Sequence, residues 1–163
     1  MNQQAKKPDA DPNASPDTRA TPRLGDIGLG NFAPYLMNRL MGRYNASLRD
    51  EMAAQGLTTP KMRALAVLSV IDGIRIRDLA VYAVVEQSTL SRALDALHQD
   101  GLIRREIDQD DSRATRIYST DDGNAMFETL WPYMAASYEQ RFLGVSDEER
   151  HAFRSEERRV GQE

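Results

Sequence analysis

Residues 86–106, EQSTLSRALDALHQDGLIRRE, decide the fold. Leu90, Ala93, Leu94 and Leu97 follow the i, i+3, i+4, i+7 spacing that puts apolar side chains on one stripe of a helix, so that face is core. The other face carries Gln87, Ser88, Ser91 and Arg92, hydrogen-bonding groups compact enough to let the helix approach a second surface. A helix meeting only water more often shows Glu and Lys there. Gly101 stops the helix, because glycine enters the left-handed conformation without a Cβ clash, and LIRRE begins a strand.

Upstream, residues 32–54 repeat apolar side chains every three or four positions through Tyr35, Leu36, Leu40, Tyr44, Leu48 and Met52, predicting one long amphipathic helix ended by Gly56. In LTTPKMRALAVLSVIDG, Thr59 is the expected N-cap and Pro60 the first helical residue, with Met62, Leu65, Ala66 and Leu68 inward and Gly73 as the stop. IRIRDLAVYAVV reads as a short third helix from about Arg75, although its β-branched residues also suit a strand. Downstream, residues 102–106 and 114–119 alternate in part and flank the turn formers of IDQDDSR, predicting a β-hairpin with a long polar tip. Met126, Leu130, Tyr133, Met134, Tyr138 and Phe142 then give another long helix, which Pro132 should kink or deprive of a hydrogen bond. A last helix opens with a capping box, Ser146 with Glu149.

The 163 residues suffice for one domain with a real core, and the net charge of -4 rules out a generally basic nucleic-acid coat. Any DNA contact must come from local placement, since residues 61–118 hold nine basic and nine acidic side chains and the flanks are acidic. The absence of cysteine closes disulfide, thiolate-metal and thiol-redox chemistry. With only His98 and His151 as nitrogen ligands, on different helices, no metal site is expected. No apolar run matches a membrane span or a signal peptide, so a cytoplasmic protein is expected. Residues 1–30, rich in Pro, Asp, Asn, Ser and Ala, read as a disordered tail. The glycines of GDIGLG that close it lack the preceding strand and the spacing of a dinucleotide fingerprint. No nucleophile elbow, HExxH, P-loop or argued catalytic set is present, so an enzyme is not expected, and neither is a cofactor.

Three short helices followed by a hairpin form a winged helix-turn-helix, whose last helix enters the DNA major groove. The expected class is therefore mainly α with a small β-hairpin wing (α+β), flanked by N- and C-terminal helices that the family resemblance below makes dimerisation helices. Ser88 and Thr89, near the helix start, would also present backbone N–H groups to a phosphate. The stretch RDLAVYAVVEQSTLSRALDALHQDGLIRREIDQDDSRATRIYSTDDG resembles the DNA-binding lobe of the MarR family of bacterial transcriptional regulators. The similarity extends more loosely over residues 32–153, and STLSRALDALHQDGLI together with the DDSR wing carries it.

This resemblance implies a homodimeric regulator, expected as a repressor, on a near-palindromic double-stranded operator. Residues 59–123 would be the DNA-binding lobe, and 31–58 with 124–153 the helical dimerisation region. Base and phosphate contacts fall on Gln87, Ser88, Thr89, Ser91 and Arg92, and the wing arginine and its supporting aspartate on Arg113 and Asp111. Ser112 stands where a second wing arginine is common, so phosphate attraction is expected to be either weaker or carried by Arg116. Val84 stands where a small turn-forming residue is frequent. RSEERRVGQE resembles a translated sequencing-adapter read with one residue changed, so residues 154–163 are expected to be non-native. The family's release by small aromatic or phenolic acids points to Tyr35, Met37, Arg39, Met62 and Arg63 as cleft residues. The contrasting reading is a winged helix that serves only as a protein-interaction module, compatible with the neutral lobe.

Overall fold

The computed structural model describes residues 22–160. Residues 1–21 of the expected tail and the last three residues of the expected non-native terminus lie outside them. The chain divides into two compact units, one ending at Asn38 and the other starting at Arg39. The first holds the short helix α1 (Leu24–Ile27), a 3-10 turn (Leu29–Asn31) and the start of α2 (Ala33–Ser47). Everything that follows lies in the second.

The helix expected over residues 32–54 is two helices, α2 and α3 (Arg49–Ala54), separated at Leu48. The Ser47 hydroxyl donates to the Tyr44 carbonyl at 2.8 Å and lies 2.6 Å from the Ser137 hydroxyl. Such local bonding competes with the helical backbone pattern, while Leu48 itself is buried. Helix α4 (Thr59–Leu68) has Thr58 as its N-cap and Thr59 as its first residue, one position earlier than the sequence pattern indicates.

After α4 the chain forms a two-residue strand, β1 (Ile74–Arg75), then α5 (Ile76–Ala83) and α6 (Gln87–Gln99). The wing strands are β2 (Ile103–Ile107) and β3 (Thr115–Ser119). The expected hairpin is thus part of a three-stranded antiparallel sheet with β3 in the centre. Ile74 pairs with Ile117 on one side of β3, and Arg105 pairs with Ile117 on the other. Two residues cannot show an alternation, which is why β1 left no mark in the sequence pattern. Helix α7 (Asp121–Arg141) runs through Pro132 without ending there, although proline brings no N–H to the ladder. Helix α8 (Asp147–Val160) opens with the expected capping box: the Ser146 amide donates to Glu149, and the Glu149 amide to the Ser146 hydroxyl.

Leu65, Leu79, Leu90, Leu94, Leu97, Ile103, Ile117 and Leu130 are fully buried in one core. Each contributes about 1.5–3 kcal/mol by leaving water. The stripe Leu90, Ala93, Leu94 and Leu97 is buried as a set, so the rotation of α6 about its axis is fixed and its polar face is turned outward.

The turn joining α5 to α6 is tight despite lacking glycine. Val84 adopts the left-handed conformation, φ 51° and ψ 51°, and the Val85 amide reaches back to the Ala80 carbonyl at 3.1 Å in a Schellman-type closure. A β-branched residue is strained there, and at 78% exposure Val84 regains little by burial. Val84→Asn is expected to stabilise the fold by about 1 kcal/mol, read as a raised urea midpoint with an unchanged slope.

Candidate nucleic-acid interface

Helix α6 presents Gln87, Ser88, Thr89 and Arg92 as exposed residues, with Ser91 half-buried beside them. Its N-cap is Glu86, whose Oε2 accepts from the Thr89 amide at 3.0 Å and from the Ser88 hydroxyl. The Ser88 hydroxyl and the backbone N–H groups of Ser88 and Thr89 hold the Glu86 carboxyl below the usual carboxylate range. This corrects one expectation: the Thr89 N–H that was to face a phosphate is already satisfied by a carboxylate of the chain itself.

The wing loop between β2 and β3 is organised by Asp108, 2% exposed. Its carboxylate takes a two-pronged contact from Arg75, Nε at 2.9 Å and Nη2 at 3.1 Å. It also accepts from the amides of Asp110 at 2.9 Å and Asp111 at 3.0 Å, and pairs with the Arg116 Nε. Arg75 first, then these amides and Arg116, outweigh desolvation and hold the Asp108 carboxyl far below the ordinary range. One buried anion therefore ties together the start of α5, the central strand and the wing loop.

Two wing expectations change in consequence. Asp111 accepts from the backbone amide of Arg113 at 3.0 Å, fixing the loop rather than gripping the guanidinium. Arg116 is engaged inside the fold, its Nη1 donating to the Gly73 carbonyl at 2.8 Å and its Nε facing Asp108, so it acts as a strut of the wing. The Arg113 guanidinium is exposed and has no ion-pair partner among the described residues.

A groove of about 350 Å³ lies between the start of α6 and the wing, and brings Gln87 and Ser91 together with Asp111 and Arg113. Arg75, Arg77 and Thr115 line it as well. Sequence reasoning missed Arg77, whose side chain is 77% exposed and pairs only loosely with Asp78 at 3.4 Å. The signal was present in IRIRD, where the register of β1 into α5 decides which arginine is taken by Asp108 and which stays exposed in the groove, but a two-residue strand gives that register no pattern.

The expected ligand residues are placed differently. Met62 is in the hydrophobic core, and Arg63 donates to the carbonyls of Val84 at 3.0 Å and Ala83 at 3.5 Å, closing the end of α5. Both are therefore occupied by the fold, where cleft walls were expected. Tyr35 and Met37 belong to the first unit, and Arg39 opens the second. Among the described residues no group of three His, Asp or Glu could hold a metal ion, and no helix is long and apolar enough to cross a membrane.

An exposed polar helix held by a buried stripe, a tight preceding turn and an adjacent wing define a winged helix-turn-helix protein. The MarR family model matches residues 57–115, from the approach to α4 through the wing. A solved MarR-family transcriptional regulator from Silicibacter pomeroyi is 55% identical, with a TM-score of 0.79 over 85% of this chain and 94% of that one. The chain belongs to the MarR family of transcriptional regulators. The transcriptional regulator HosA of Escherichia coli O111:H- is 28% identical over 78% of this chain and 93% of its own length. The fold is shared with Bordetella bronchiseptica BpsR, whose DNA binding is regulated by 6-hydroxynicotinic acid, at 22% identity and a TM-score of 0.67 over 79% of this chain and 98% of that one.

Proposed function

We propose that this regulator is a repressor that binds a near-palindromic operator as a homodimer, with α6 in the major groove and the wing in the flanking minor groove. The observation that carries the reading is the groove that sets Arg113, in no ion pair among the described residues, beside Gln87 and Ser91. A narrow A·T-rich minor groove attracts such a cation, and the compact face of α6 suits base edges. Homodimerisation is supported by exposed apolar side chains outside the lobe, including Met41, Trp131, Leu143 and Phe153, and by an apolar hollow of about 300 Å³ lined by Leu40, Tyr44, Tyr138, Phe142 and Phe153. Apolar surface of this kind is characteristic of association sites.

A small aromatic or phenolic acid is the proposed releasing ligand, by analogy with BpsR. It would act by fitting only one spacing of the two recognition helices, lowering operator affinity by its differential affinity for the two states.

The decisive experiment is selection of random duplex DNA by the purified protein, repeated across salt concentrations. The expected result is an enriched near-palindrome with half-sites about one helical turn apart and an affinity that falls steeply with salt. No enrichment, with salt-independent capture of a protein partner, would replace this reading with an interaction module. Arg113→Ala is expected to weaken operator binding about tenfold, with the loss concentrated at the flanking A·T positions. Equal affinity for operators with substituted flanks would remove the wing from the interface.

A further inference from the structure

We infer that Glu86 is a specificity-determining residue of the DNA interface: it accepts a hydrogen bond from a cytosine amino group in each half-site and repels backbone phosphate from the tip of α6. The inference rests on the DNA-binding reading above.

A helix start ordinarily favours phosphate, through free N–H groups and the positive end of the dipole. At the start of α6 that place is taken by a carboxylate of the chain. Capping alone does not require glutamate, since serine, asparagine and aspartate are the stronger N-caps. Glutamate adds length and an acceptor to spare. The Ser88 hydroxyl and the Thr89 amide both end on Oε2, and with the Ser88 amide they take at most three of the roughly four acceptor positions of a carboxylate. Glu86 is exposed and in no ion pair among those residues, next in the chain to Gln87, which lines the groove.

An ionised carboxylate only accepts. In the major groove the base donors are the amino groups of cytosine and adenine, while guanine and thymine offer acceptors that repel it. Adenine places its N7 acceptor beside the amino group, which opposes a carboxylate, so cytosine is the favoured partner. The hydrogen bonds that hold Glu86 ionised also anchor its carboxylate, so the recognising oxygen is in place before DNA arrives. The same charge penalises non-specific docking of α6 onto phosphate.

The test is parallel selection of random duplexes by the full chain, by Glu86→Gln and by Glu86→Ser, with affinity for an unselected duplex measured for each. Thermal melting establishes that the variants fold, and serine preserves the cap if glutamine does not. The expected result is a cytosine at one position of each wild-type half-site, a shift towards adenine in Glu86→Gln, and a loss of about tenfold in discrimination there in Glu86→Ser. Both variants should also bind unselected duplex several-fold more tightly. A wild-type motif retained unchanged by both variants, with equal affinity for unselected duplex, overturns the role of Glu86 and leaves the DNA-binding reading standing. Absence of any wild-type motif overturns both.

Discussion

Asp108→Ala is expected to lower the thermal midpoint by roughly 10 °C and to abolish the contribution of the wing to DNA binding. The carboxylate is buried and faces two guanidinium groups and two backbone amides. Its removal leaves Arg75 and Arg116 side by side without a counter-charge, and frees the loop that carries Arg113. Removing the shared anion costs more than the cluster's net worth, because the two guanidinium groups, each about a third exposed, are left to repel one another and the two amides lose their acceptor. Asp108→Asn separates charge from shape, since it keeps the acceptor for one amide but cannot balance both arginines. The pH dependence has a defined sign. The Asp108 carboxyl is depressed in the folded state, so its stabilisation is complete above its unfolded value of about 4 and is lost as pH falls below that towards the folded value. Acid titration of the melting temperature should be visibly flatter for Asp108→Asn than for the wild type. Equal slopes would mean that the clamp does not form.

Gly123→Ala is expected to cost about 3 kcal/mol or more. A Cβ at this position would sit 2.0 Å from the Leu102 carbonyl oxygen and 2.9 Å from the Ser119 hydroxyl. The first contact is with backbone, which cannot rotate away, so the start of α7 would have to withdraw. That withdrawal breaks the Thr120 cap, in which the hydroxyl accepts from the Gly123 amide at 3.1 Å and donates to the Gly101 carbonyl at 2.7 Å. Equilibrium unfolding in urea should show a lower midpoint with an unchanged slope. Gly42→Ala is the control: it lies within α2 with nothing near its Cβ position, and should be neutral or mildly stabilising. A similar response from both glycines would refute the close approach.

Helix α6 was legible because burial repeats with the helical period over thirteen residues, and the wing because turn formers separate two alternating runs. What the pattern could not reveal was pairing at a distance. Asp108 looked like one more polar residue of a loop tip, yet it is the buried one, and only the pairing of β1 with β3 brings Arg75 to it. Arg116 and Asp111 were assigned outward roles because a charge in a loop, or at the start of the strand that follows it, carries no direction in the sequence. Met62 and Arg63 were read as cleft residues for the same reason: helical spacing places them on α4, but whether a side chain faces core, carbonyl or solvent depends on what packs against that helix. The break at Leu48 was hidden because its apolar spacing continues across it.

Thr120 joins the end of one helix to the start of another. Its hydroxyl is bonded to the Gly101 carbonyl and its amide, at 3.1 Å, to that of Leu102, immediately beyond α6. Helix α7 leaves from this point and runs for 21 residues, roughly 30 Å at 1.5 Å per residue, to Arg141, which reaches the carbonyl of Arg43 on α2. The helix is therefore a lever arm with one end fastened beside the end of α6. A tilt of about 10° displaces one end of a 30 Å rod relative to the other by about 5 Å, more than the roughly 3.4 Å between successive base pairs. In the proposed complex, a tilt of about 7–10° at the far end would be enough to carry α6 out of step with the duplex.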